Sequence, residues 1–262
     1  MKRILSLLLL CLTMLSVQAQ SIKDVADSAY ADKHYAQAAE QYAVLIDSVP
    51  SADVFYNLGN AEYRLKHYAQ AVLAYQRALH LDPGHEDAQY NLAIVRSRLV
   101  DRFSKPSEMF FISWLKTWIS SHDVTHWVGW SFLWLILLFV GVGVYQLTRP
   151  LWLRKTGFFF AIFCGVCFAL LTSFAFVQRY AYYHNDDAVI TAEEVQLYLS
   201  PTTSSKKLQV LHEGTTITII GTQDKTWLHV ALPDESEAWM KAEGYERVTS
   251  PSLSEGSEKE KE

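Results

Sequence analysis

The 262-residue chain sets 23 Lys and Arg against 28 Asp and Glu, a formal charge of −5, and half of its residues are hydrophobic. Phosphate binding needs clustered Lys and Arg, and neither soluble portion holds such a cluster, so nucleic acid is set aside as a partner. The apolar residues fall in blocks, and where those blocks lie decides the architecture before any domain count does.

The first block follows Lys2 and Arg3 and runs over residues 4–15, ahead of Val17-Gln18-Ala19. This is the layout of a secretory signal over 1–19 cleaved after Ala19, with an uncleaved anchor as the alternative. Leu10 stands where a lipidated Cys11 would need a small residue, and the apolar run continues past it, which argues against a lipid anchor.

Residues 20–103 carry an internal repeat. His34-Tyr35-Ala36-Gln37-Ala38 recurs as His67-Tyr68-Ala69-Gln70-Ala71, and Tyr42/Tyr75 and Pro50/Pro83 keep the same offset of thirty-three residues. In the second copy Phe55, Leu58, Gly59, Ala71, Tyr75, Ala78 and Pro83 resemble the signature of the tetratricopeptide repeat, a helix-turn-helix unit. Gly59, Ala71 and Ala78 admit close helix contact, Phe55 and Tyr75 fill the space between, and Pro83 ends the second helix. A third start, Ala88-Gln89-Tyr90-Asn91-Leu92-Ala93, runs on without a second helix signature. Two repeats and a solvating cap helix are expected.

The resemblance implies that the first helix of each pair lines a concave groove for a peptide or a partner's helix. By position, Lys23, Asp27, Tyr30, Tyr56, Asn57, Asn60, Tyr63, Tyr90 and Asn91 face it. Against this stands plain packing for the tyrosines, and backbone or water contacts for Asn57 and Asn91. Clamp-type members hold a terminal carboxylate with Lys and Arg; here the paired Asn are present and the basic positions are largely missing.

Residues 104–126 are an aromatic segment in which Phe111, Trp114, Leu115 and Trp118 share a helical face, as for a helix lying in a membrane interface or packed on the helical domain. His122 and His126 are one turn apart, but no third ligand is nearby, and a helix start around Ser121 and Asp123 explains them better than a metal.

Residues 127–147 and 157–177 contain no charged side chain and are each long enough to span a bilayer. The basic loop 148–156 between them places both outer portions on the exported side, in agreement with the signal. Trp127, Trp130, Trp152, Tyr180, Tyr182 and Tyr183 mark the headgroup levels. Cys164 and Cys167 have the spacing of a redox pair, yet small residues are expected for packing inside a membrane helix.

Residues 188–248 switch to period two, with strand runs at Val189-Ile190, Val195 to Tyr198, Thr216 to Ile220, Trp227 to Val230 and Ala238 to Met240. With Ser200-Pro201-Thr202, Leu211 to Thr215, Pro233-Asp234 and Trp239, the order is similar to the bacterial Src-homology-3-like barrel, except that Ala238 replaces its usual Gly. Such barrels often bind wall peptides or proline-rich segments on an aromatic surface, for which Tyr198, Trp227 and Trp239 are the candidates. Core packing is the favoured reading of these three, because so small a barrel needs aromatics inside. The Ser-, Glu- and Lys-rich tail 249–262 is expected to be disordered.

The expected fold is thus mixed and multi-domain: an all-α tetratricopeptide solenoid, a two-helix transmembrane hairpin and a small all-β barrel. This layout, with Val54 to Ala61 and Glu108 to Phe111, resembles the BatE family of the Bacteroides aerotolerance operon. The spans, the basic loop and the signal predict an inner-membrane protein with two spans and both soluble domains in the periplasm, and the first functional reading is a scaffold whose helical groove binds a partner subunit. The resemblance implies partners encoded alongside: membrane proteins with von Willebrand factor A-type domains and a MoxR-type ATPase across the membrane, in an aerotolerance or stress-related complex. No cofactor, metal or catalytic residue is expected. A wall-binding or wall-sensing module acting through the barrel is the second reading, and a membrane thiol oxidoreductase the third.

Overall fold

The computed structural model describes residues 22–104, 109–120 and 124–249. The signal, His122 with Asp123, and the tail from residue 250 onward lie outside the described residues. The chain divides into two compact units, residues 1–107 with 186–262, and residues 108–185.

In the first unit five helices follow one another: α1 (residues 22–31), α2 (Tyr35–Ser48), α3 (Ala52–Leu65), α4 (Tyr68–Leu81) and α5 (Glu86–Arg96). The Ser51 hydroxyl caps α3 by accepting from Val54 N–H at 3.3 Å. Each tight turn within a pair passes through a lysine at positive φ, Lys33 at 65° and Lys66 at 67°. Phe55 and Tyr75 are buried to 2% and 1% exposure, as the spacing required. A Cβ on Gly59 would lie 2.7 Å from the Tyr75 ring, so only glycine permits this approach of α3 to α4. The repeat also extends to chemistry: the Tyr42 hydroxyl donates to Asp27 at 2.6 Å, and Tyr75, thirty-three residues on, donates to Asn60 at 2.7 Å. Each second helix is pinned to its own first helix by an equivalent buried phenol. Among the described residues of this unit no second helix pairs with α5; its Gln89, Ala93 and Arg96 are exposed, while Leu92 and Val95 share a core with Val189 and Val248 of the sheet portion, so the end of the solenoid expected to face solvent is partly covered.

Seven strands make one antiparallel sheet: β1 (Asp187–Ile190), β2 (Glu194–Tyr198), β3 (Lys207–His212), β4 (Thr216–Gln223), β5 (Trp227–Ala231), β6 (Glu237–Lys241) and β7 (Tyr245–Arg247). Their order is β3-β2-β6-β5-β4-β1-β7. The ladder stays open between β3 and β7, where a closed barrel was expected. Strand β7 is three residues long and pairs on one edge with β1; among the described residues no strand pairs with its other edge. Alternation still sorts the faces: Leu228, Val230 and Met240 join the core with Leu197, Leu211 and Ile217.

The sheet packs on the helices. Val189 and Val248 join the core formed by Phe55, Val72, Leu92 and Val95. Around this contact Gln76 donates to Thr216 at 2.8 Å, and Arg77 meets Glu246 at 2.7 Å and the Arg247 carbonyl at 3.0 Å. A second tie lies beyond α5. One Asp101 carboxylate oxygen accepts from the His212 backbone N–H and the Thr215 hydroxyl, both at 2.7 Å, and the other lies 2.8 Å from His212 Nδ1. Burial alone would raise the Asp101 pKa, but these donors outweigh it and hold the carboxyl below its usual range.

The second unit holds α6 (Phe110–Ser120), α7 (Val124–Leu147) and α8 (Leu151–Tyr183). Helices α7 and α8 are both long and apolar enough to cross a membrane, and most of their apolar side chains face outward. The expected loop 148–156 is shorter than the sequence suggested. Pro150 is the N-cap of α8, so Arg154 and Lys155 lie in its first turns. The backbones of the hairpin touch: a Cβ on Gly157 would stand 2.9 Å from Tyr145 N and 3.0 Å from the Gly141 carbonyl oxygen. The aromatic face of α6 forms as expected, with Trp114 and Trp118 stacked at 6.4 Å and Trp118 against Trp127 and Phe174 at 5.0 and 5.6 Å. Cys164 is buried, Cys167 is half-buried, and both are free thiols.

Candidate partner-binding groove

The first helices of the repeats, α1, α3 and α5, carry all nine residues expected at the groove, and the structure divides them by what they touch. Lys23 and Asp27 form an ion pair at 2.6 Å, and Asp27 also accepts from Tyr42. Burial works to raise the Asp27 pKa, and the bonds from Lys23 and Tyr42 more than reverse it. The Tyr42 hydroxyl is pushed well above the ordinary tyrosine range, by burial first and by Asp27 second. Asp27 is therefore committed to internal structure.

Asn60 and Asn91 are committed likewise. The Asn60 side-chain oxygen accepts from Tyr75 at 2.7 Å and from Asn91 at 2.8 Å, and Asn91 lies 3.4 Å from the Tyr56 hydroxyl. This bridge ties α5 to α3 and α3 to α4. Burial raises the Tyr75 pKa in the same way as that of Tyr42. The tyrosines are different. Tyr90 is 69% exposed, and Tyr56, at the equivalent place on the neighbouring helix, is half-buried with its ring 4.8 Å from the His85 ring. Tyr30 and Tyr63 are half-buried, with their rings 5.3 Å from Tyr35 and 6.1 Å from Tyr68. Asn57 is half-exposed beside them. The candidate groove face is thus a row of tyrosines beside a half-buried amide network.

Two arginines belong to this surface that the sequence reading passed over. Arg64 lies 6.0 Å over the Tyr35 ring and Arg98 lies 5.9 Å over the Tyr63 ring. Their thirty-four-residue separation, the same as between Tyr56 and Tyr90, was the available signal.

The three sheet residues also separate. Tyr198 is 9% exposed, its ring edge-on to Trp227 at 5.2 Å. Trp227 and Trp239 are half-exposed and lie on the face opposite Leu228, Val230 and Met240, outside the core where packing had been expected. His229 stacks on Trp239 at 4.6 Å and 11°, with its Nε2 3.2 Å from Glu237. Side chains alternate across a strand, and the small residues Ala188 and Ala238 leave the aliphatics enough room to fill the core without the tryptophans. Among the described residues no three His, Cys, Asp or Glu side chains come together as a metal site would need.

Residues 52–85, which span α3, its turn and α4, match the family model of the tetratricopeptide repeat. No curated protein matches the chain. The helical part is thus a repeat module of a class that binds other proteins, joined to an antiparallel sheet, in a chain with two helices able to cross a membrane.

Proposed function

We propose that the chain is a membrane-anchored scaffold that holds a partner protein in the groove of α1, α3 and α5. The observation that carries this reading is the row of accessible tyrosines, Tyr90 above all, over a network that fixes the helices beneath it. Large rigid side chains on a pre-ordered surface lose little entropy on binding. Helices α7 and α8 fix the module at the inner membrane, and Arg149, Arg154 and Lys155 between their apolar stretches favour a cytoplasmic turn with both soluble portions in the periplasm. The layout resembles the BatE family, with a Src-homology-3-like sheet, so the partners would be membrane proteins with von Willebrand factor A-type domains in an aerotolerance or stress-related complex. In this reading the chain performs no catalytic step.

The test is capture of the detergent-solubilised protein from its native membrane, comparing wild type with the Tyr56→Ala, Tyr90→Ala variant. Recovery of von Willebrand factor A-type membrane proteins by wild type alone supports the scaffold. Equal recovery by both forms refutes the groove. A second reading, binding of wall peptide by the sheet, is favoured by the outward Trp227, His229 and Trp239 surface. It requires that Trp239→Ala abolish pull-down by purified peptidoglycan with the fold intact.

A further inference from the structure

The tyrosine row carries a second pattern, which rests on the groove reading and deepens it. In the first repeat Tyr30 and Tyr35 meet edge-on at 5.3 Å, and Arg64, from the next repeat, lies over Tyr35 at 6.0 Å. One repeat later Tyr63 and Tyr68 lie 6.1 Å apart, and Arg98 lies over Tyr63 at 5.9 Å. At each of two successive steps of the solenoid an arginine thus lies over one ring of a tyrosine pair, the second-helix ring Tyr35 under Arg64 and the first-helix ring Tyr63 under Arg98.

A ring face holds a guanidinium by attraction to its π-cloud and leaves the N–H edge turned away from the ring. Both arginines are exposed. Neither is paired with a carboxylate among the described residues, whereas Arg77 and Arg247 are used by Glu246 and Asp186. Placement of Arg64 in the last turn of α3 suits the helix dipole, but the dipole asks for no tyrosine ring beneath it. What the ring adds is a fixed direction for the donor fork. Such a fork matches a carboxylate in two parallel bonds.

Neighbouring packed helices stand about 10 Å apart, and an extended chain rises about 3.3 Å per residue. We infer that the groove takes an extended peptide segment with acidic side chains about three residues apart, one carboxylate on Arg64 and the next on Arg98.

The probe is a fluorescent nonapeptide with glutamate at every third position, titrated by anisotropy into the full chain in detergent micelles. Controls are the same composition with its glutamates in one block, and the glutamine version. Arg64→Gln and Arg98→Gln should each weaken binding of the spaced peptide about tenfold, the size of a charge-assisted pair lost. The block and glutamine peptides should bind more weakly than the spaced one to wild type. Equal affinity for spaced and blocked peptides overturns the inference, as does displacement of the peptide by short polyphosphate as readily as by itself. Unchanged binding in the double arginine variant does the same. If the membrane partner is still captured through Tyr56 and Tyr90 while the acidic peptide does not bind, the groove stands and its acidic preference falls. If neither binds, both fall.

Discussion

Replacing Asp101 by alanine should release the sheet from the helices. The carboxylate is 13% exposed and takes three short bonds, from His212 N–H, Thr215 Oγ1 and the His212 ring. A hydrogen bond to a charged group contributes about 1.5–3 kcal/mol, and Thr215, only 4% exposed, would be left with its hydroxyl unmet. The three bonds share one carboxylate and water can enter beside His212, so they do not add; the expected loss is about 3 kcal/mol. Asp101→Asn keeps acceptors for two of the donors and should lose about half as much. The assay is thermal unfolding in detergent followed by tryptophan fluorescence, with hydrogen exchange reading β3 and β4. A melting temperature lower by about 8 °C and faster exchange in those strands are expected at pH 7. Because the Asp101 pKa is depressed in the folded chain, its contribution is complete above the unfolded carboxylate value of about 3.9 and is lost as pH falls through the folded one. The gap between wild type and Asp101→Asn should therefore close below about pH 4. An Asp101→Ala protein that melts and exchanges like wild type would refute the reasoning.

Two further perturbations test the packing. Gly59→Ala drives a methyl to 2.7 Å from the Tyr75 ring, and overpacking of about 1–3 kcal/mol should outweigh the gain of up to about 1 kcal/mol in helix propensity; a variant more stable than wild type would show that Tyr75 can yield. His80, 8% exposed on α4, has its pKa lowered by burial, so the unfolded chain binds the proton more tightly. Its contribution is full above about pH 6.5 and falls below that by at most about 1.4 kcal/mol per pH unit. His80→Gln should flatten the stability profile between about pH 5 and 6.5, measured by chemical denaturation.

What could be read in the chain was whatever repeats or persists locally. Two copies of His-Tyr-Ala-Gln-Ala with aligned Tyr and Pro gave the helix pairs, and uninterrupted apolar runs gave α7 and α8. The misreadings have specific causes. Pro150 falls within the expected loop, but a proline just ahead of a helix costs it no hydrogen bond, and Pro150 is the N-cap from which α8 starts. On β5 the residues of both parities are apolar or aromatic, so period two could not say whether Trp227 and His229 or Leu228 and Val230 face inward. Asn60 and Asn91 stand at groove positions but turn toward each other, a choice made by Tyr75 beneath them. The ties of Asp101 to His212 and Arg77 to Glu246 join residues more than a hundred positions apart, across segments with no shared periodicity.

One consequence couples the sheet to the groove. Asp101 follows Arg98 by three residues, and the segment between them has left α5, which ends at Arg96. What fixes its course is Leu99, packed against Gly214 of the sheet, and the Asp101 bonds to His212 and Thr215. Arg64 sits inside α3 and owes nothing to the sheet. Releasing Asp101 should therefore free Arg98 from its place over Tyr63 and leave Arg64 over Tyr35. In the Asp101→Ala background, Arg98→Gln should cost the acidic peptide little further affinity, while Arg64→Gln should cost about the same tenfold as in wild type. A double-mutant cycle by anisotropy at a temperature well below unfolding measures both. If the Asp101 and Arg98 effects prove additive, the sheet does not order the second guanidinium, and the two modules act independently in binding.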